Sequence, residues 1–87
     1  MSKKGGGKKG DMVTIAFSVR LKTIRVARDY KDATDFATSL GIEPATYRTY
    51  ERGEAEPNFS TLLRICHLLD VSPNDLLLGR WKMHTEK

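Results

Sequence analysis

Cysteine is nearly absent from this chain. Cys66 is the single one among 87 residues, so no internal disulfide can form and no cysteine-rich metal site can be assembled. With no secretory leader visible, a lone thiol fits a chain kept in a reducing cytoplasm. No apolar run approaches the roughly 20 residues that a bilayer-spanning helix needs, so no membrane role is expected. Also lacking are a glycine-rich phosphate loop, a cluster of metal-ligating side chains and a Ser/His/Asp set, and 87 residues cannot enclose a substantial pocket. The chain is therefore expected not to be an enzyme and to use no cofactor, metal or small-molecule ligand. Cys66-His67 does not change this, because adjacent helical residues point about 100° apart. Cys66 reads as core and His67 as surface.

Acid is missing from one stretch. Residues 1–10, MSKKGGGKKG, hold Lys3, Lys4, Lys8 and Lys9 and no Asp or Glu. Such a segment cannot bury enough surface to order itself, so residues 1–11 are expected to be a flexible arm. It reads either as a cationic arm that gathers phosphates or as a merely solubilising leader. The formal net charge is +4, and these four lysines account for it: from Asp11 onward basic and acidic residues balance at eleven each. A single domain is expected over residues 12–79, with a short tail over residues 80–87.

The most informative stretch is Asp32 to Gly53, DATDFATSLGIEPATYRTYERG. Asp32 can cap a helix through its carboxylate. Phe36, Ala37 and Leu40 fall on one face of that helix, and Gly41 ends it where a left-handed residue is required. Glu43-Pro44 restarts a helix at once, since proline suits a first helical position. Gly53 closes this second helix, expected over about 44–52. The pattern is two short helices around a tight turn.

On the second of these helices Tyr47, Tyr50 and Glu51 share one side. Ala45, Arg48, Thr49 and Arg52 share the other, with Thr46 at its edge. The tyrosines belong against the preceding helix. The outward set is small, polar or cationic, as a helix entering the DNA major groove must be: Arg can bond guanine bidentately, Thr can bond base edges or phosphate, and an Ala or Thr methyl can meet a thymine methyl. An ordinary solvated face would look the same.

Phe36-Ala37, Leu40-Gly41-Ile42, Tyr47, Tyr50-Glu51-Arg52-Gly53 and Pro57 together resemble the helix-turn-helix of lambdoid phage repressors and Cro proteins, the XRE-like family. The likeness extends through LLRICHLLDVSPNDLLLG and covers roughly residues 17–79. It implies an all-α, five-helix, lambda-repressor-like domain that binds double-stranded DNA as a homodimeric transcriptional regulator. Two positions depart from the family pattern. Tyr47 stands where a small branched aliphatic is common, which implies slightly wider packing of the two helices. Ala33 stands where a phosphate-touching glutamine is common, so the start of that helix, Ala33 included, would meet the DNA backbone without that side chain.

The first helix is expected from between Met12 and Ala16 to about Arg28 or Asp29, with Phe17, Leu21, Ile24 and Arg28 on one stripe, although Val13-Thr14-Ile15 would also suit a strand. Its four cations, Arg20, Lys22, Arg25 and Arg28, offer a solvated side to a DNA backbone or to water alone. Glu51 points inward and needs a partner. Arg25 can reach it, and the resemblance implies the same structural ion pair; the alternatives are solvent or Arg48, one turn away. Tyr30 can pack over the start of the next helix.

Asn58 and Ser72 read as the caps of a fourth and fifth helix. Phe59, Leu62, Leu63, Cys66 and Leu69 form the apolar stripe of the fourth. Leu76, Leu77 and Leu78 cannot all face one small core, and Trp81 follows. The expectation is an isologous homodimer through Leu76, Leu77 and Trp81, with Trp81 folding onto its own core as the alternative. Sequence discrimination would fall to Ala45, Thr46, Arg48 and Thr49, and backbone contact to Lys3, Lys4, Lys8, Lys9, Arg52 and Ala33. An antitoxin-like or accessory module, whose main partner is another protein, is the competing function.

Overall fold

The computed structural model describes residues 12–79; Lys3, Lys4, Lys8, Lys9 and Trp81 lie outside the described residues. Within them the chain forms α1 (Met12–Ala27), α2 (Ala33–Leu40), α3 (Pro44–Glu51), α4 (Phe59–Leu69) and α5 (Pro73–Leu78), and no strand. Val13-Thr14-Ile15 is the first turn of α1. Among the described residues no helix is long and apolar enough to cross a membrane.

The boundaries follow from local chemistry. Asp32 accepts from the Thr34 amide, Asn58 from the Thr61 amide, and Ser72 forms a reciprocal capping box with Asp75. Proline occupies the first position of both α3 and α5. Gly41 ends α2 at φ +78°, which is the conformation the tight turn into α3 requires. Helix α3 stops at Glu51, one residue short of expectation, and Arg52 is its cap.

Apolar faces from all five helices converge. Leu21, Ile24, Phe36, Tyr47, Ile65, Leu69 and Leu76 are completely or almost completely buried, each contributing about 1.5–3 kcal/mol if of ordinary apolar character. The rings of Tyr30, Phe36, Tyr47 and Tyr50 make successive edge contacts with centroids 4.9, 5.4 and 6.1 Å apart, a favoured geometry for aromatic quadrupoles. Tyr30 thus fastens the turn onto α2, and the bulk of Tyr47 is absorbed as a ring contact with Phe36.

Three expectations are corrected. Phe59 and Leu63 are not core: Phe59 is 85% exposed and Leu63 is 56% exposed. Phe59 faces outward at the start of α4, Leu63 lies off the inward line of Leu62, Ile65, Cys66 and Leu69, and Thr61 is buried instead. Leu76, expected in the exposed Leu–Trp surface, is the fully buried leucine of α5; Leu77 and Leu78 take the exposed positions.

The third concerns α1. Of its cations, Arg20 and Arg28 serve the fold rather than a solvated face. Arg20 Nη1 donates to the carbonyls of Leu76 and Leu77 at 2.9 and 3.1 Å. Arg28 donates to those of Leu69 and Asp70 at 2.7 and 3.2 Å. Arg64 does the same for α2, donating to Leu40 O at 2.7 Å. The last carbonyls of a helix have no partner within it and carry its negative dipole end. Here three of the five helices have those carbonyls met by an arginine from elsewhere in the fold: Arg20 from α1, Arg64 from α4, and Arg28 from the turn after α1, which ends at Ala27, one residue short of expectation.

Candidate nucleic-acid interface

Helix α3 is held from behind. Arg25 Nε donates to Glu51 Oε2 at 2.6 Å and Nη2 to Oε1 at 3.2 Å, while Nη1 donates to the Tyr30 carbonyl at 2.6 Å. The Tyr47 hydroxyl donates to the same Glu51 Oε2. The Arg25 and Glu51 side chains are only 5% and 10% exposed. Burial disfavours the charged guanidinium, yet the hydrogen bonds and charge of Glu51 outweigh it and hold Arg25 above its ordinary pKa. Burial first, and then the Glu51 carboxylate, push the Tyr47 phenol well above its usual range. The network ties α1, the turn and α3 into one rigid support.

Gly53 lets the chain leave α3. It sits at φ +73°, and a Cβ there would lie 3.3 Å from Ser18 Oγ and 3.5 Å from the Ile15 backbone. Both the backbone angle and the close approach to α1 call for glycine. The two acids that follow are engaged: Glu54 accepts from Arg52 Nη2 at 3.0 Å, and Glu56 accepts from the Thr14 hydroxyl.

With Tyr47 and Tyr50 turned inward, Ala45, Thr46, Arg48 and Arg52 are exposed on the opposite side of α3 and Thr49 is half-buried at its border. The Thr49 hydroxyl donates to Thr46 O at 2.6 Å, so what it keeps for another molecule is an acceptor lone pair and a methyl group. Arg48 Nη2 donates to Thr34 Oγ1, at the second position of α2, at 2.5 Å. Ala33 is half-buried beside it. The structure therefore gathers the start of α2 and the outward side of α3 on one surface. No local sequence signal marks Thr34; its bond to Arg48 spans fourteen residues and a turn, and only the crossing of α2 and α3 creates it.

Charge on this surface is modest. Residues 12–79 contain eight Lys or Arg and nine Asp or Glu. Arg20, Arg25, Arg28 and Arg64 are spent on carbonyls and on Glu51. Arg48 and Arg52 are the cations of the α3 face. No group of three or more His, Cys, Asp or Glu suited to a metal occurs among the described residues. Cys66 is buried, and that burial, followed by the charge of Asp75, pushes its thiol up and away from the reactive thiolate.

Two helices across a glycine turn, the second rigidly backed and polar on its outer side, define a helix-turn-helix. Residues 21–76 match the family model described as helix-turn-helix, and the chain belongs to that family in its Cro/C1 type, a family of DNA-binding regulators rather than enzymes. It is 40% identical over 63 residues to YonR, an SPβ prophage-derived HTH-type transcriptional regulator of Bacillus subtilis strain 168, over 72% of this chain and 57% of YonR. It is 35% identical over 51 residues to RstR, the cryptic phage CTXphi transcriptional repressor of Vibrio cholerae serotype O1, over 59% of this chain and 45% of RstR. The chain thus spans about half the length of the curated relatives it matches. The fold is also similar to the solution structure of the SOS-response repressor LexA from Eubacterium rectale, with TM-score 0.74 and 23% identity over 88% of this chain and 82% of that one. The clp gene regulator ClgR of C. glutamicum gives TM-score 0.70 at 22% identity, over 85% of this chain and 91% of that one. At these identities the two structures speak to the fold alone.

Proposed function

We propose that this protein is a sequence-specific regulator of transcription, a repressor by type, that binds palindromic duplex DNA as a homodimer with α3 in the major groove. The observation that carries the proposal is the two-sided character of α3. Its inner side is locked by the Arg25–Glu51–Tyr47 network, and its outer side presents Ala45, Thr46, Arg48 and Thr49 without an apolar side chain larger than a methyl group among them. The prophage and phage origin of the regulators it resembles supports the same reading.

In this reading Arg48 and Thr49 bond base edges, and Ala45 and Thr46 offer small groups to thymine methyls. Arg52, the amides at Ala33 and the start of α2, and Lys3, Lys4, Lys8 and Lys9 neutralise and position phosphates. Because the α3 face carries only two arginines, the lysines supply much of the non-specific attraction. A second copy places its α3 one major-groove turn, about 34 Å, away. Leu77 and Leu78, 40% and 61% exposed on α5, are the apolar surface offered to that copy; Trp81, which is proposed to join the contact, lies outside the described residues. The same surface would serve a protein partner in an accessory or antitoxin-like role, and co-purification of a stoichiometric second protein is the outcome that would favour that role.

The test is a titration of the protein against a library of single-base variants of its preferred duplex. Arg48→Ala is expected to cost about 1–3 kcal/mol of discrimination at one base pair per half-site. An identical preference profile for the variant and the parent would overturn the assignment of Arg48.

A further inference from the structure

Arg48 is one of the two arginines on the outward side of α3, and an exposed arginine ordinarily samples many rotamers. Here it has a partner within the fold. Its Nη2 donates to Thr34 Oγ1 at 2.5 Å across the α2–α3 crossing. Thr34 is itself fixed: its amide donates to Asp32 Oδ1 at 2.8 Å, and its carbonyl accepts from the Thr38 hydroxyl at 3.0 Å. The Thr34 hydroxyl therefore stands on a rigid helix start rather than on a mobile loop.

We propose that Thr34 is a specificity-determining positioning residue, which holds the Arg48 guanidinium in the one orientation from which it reads a base pair. Nη2 carries two N–H bonds and gives one to Thr34. The other, with an N–H of Nη1 or Nε, still forms the two-pronged edge that matches N7 and O6 of a guanine. The pair lowers the ordering cost of the contact before DNA arrives. Thr34 acts through Arg48 and needs no base contact of its own. This inference rests on the reading of α3 as a major-groove helix.

The experiment compares the parent with Thr34→Val, Thr34→Ser and Arg48→Ala, each scored against single-base variants of the preferred duplex, with thermal unfolding measured alongside. Thr34→Val keeps shape and loses the hydroxyl; it is expected to reduce discrimination roughly three- to tenfold at the base pair that Arg48→Ala relaxes, and nowhere else. Thr34→Ser restores the hydroxyl and should restore that discrimination, and melting of all three variants should stay close to that of the parent. Unchanged discrimination in Thr34→Val, while Arg48→Ala still relaxes one position, overturns the positioning role alone. A uniform loss for every sequence with a shallower salt dependence also overturns it, and makes Thr34 and Arg48 a phosphate contact. A parent protein with no base preference at all overturns the major-groove reading and this inference with it.

Discussion

Arg25 and Glu51, twenty-six residues apart, meet through two parallel hydrogen bonds of 2.6 and 3.2 Å in a nearly dry setting between α1 and α3. The Tyr47 hydroxyl joins the same carboxylate, and the third Arg25 N–H closes on the turn before α2. Every oxygen and nitrogen of the pair is occupied from within the fold, so the pair fixes the angle at which α3 leaves the body of the domain.

Breaking this pair from one side should be costly. Arg25→Ala leaves a buried carboxylate with only the tyrosine hydroxyl, and a loss of about 3–5 kcal/mol is expected. Urea unfolding at pH 7 measures it. A loss below about 1 kcal/mol would place Glu51 effectively in water.

Tyr47 adds a pH dependence whose sign is fixed. Its phenol is held protonated well above the ordinary value near 10. Above pH 10 the unfolded chain releases this proton while the folded one keeps it, so the folded state binds more protons and stability falls as pH rises. Below about pH 10 the contribution is fully present. Unfolding free energies measured from pH 8 to 11 should decline less steeply for Tyr47→Phe than for the parent; parallel curves would contradict the burial of that hydroxyl.

The three leucines of α5 separate cleanly. Leu76 is fully buried and Leu78 is 61% exposed. Leu76→Ala is expected to cost about 2–5 kcal/mol, and Leu78→Ala no more than about 0.5 kcal/mol in the monomer. Thermal and denaturant unfolding at low concentration distinguish them, and equal costs would contradict this register of α5.

How far these features could be read in advance depended on distance along the chain. Asp32, Gly41, Pro44, Asn58 and Ser72 mark helix ends through groups one to four residues away, and those ends were legible. The inward tyrosines were legible too, because a helix face repeats every turn. From the sequence Arg20 and Arg28 read only as cations of the first helix, Arg28 also on its inward stripe, and Arg64 carries no signal, since what each meets is a helix end brought close only by folding. Phe59 and Leu63 have the composition of core, but periodicity cannot say where a bundle stops covering its own helix. The partnership of Thr34 and Arg48 was hidden for the same reason as the arginine caps: neither residue carries a local signal of the other.

The loop after α3 is expected to restrain affinity for DNA. Arg52 and Glu54 are paired at 3.0 Å, both well exposed, and the carboxylate lowers the positive potential offered to a phosphate. Glu54→Gln is expected to tighten binding to every duplex alike and to steepen the salt slope by up to about 0.9 for one added phosphate contact. Removing residues 1–10, with their four lysines, should act in the opposite sense, weakening all sequences and flattening the slope. Binding isotherms across a salt series check both, and unaltered slopes would assign neither segment to the phosphate backbone.

The central claim, that two copies of α3 read duplex DNA in successive major grooves, is met most directly by selecting binding sites from a pool of random duplexes at near-physiological salt. Enrichment of an inverted repeat whose half-sites lie about one helical turn apart is expected. Weak, salt-sensitive binding with no enriched sequence would contradict it, and would leave the helix-turn-helix as a scaffold whose partner is another protein.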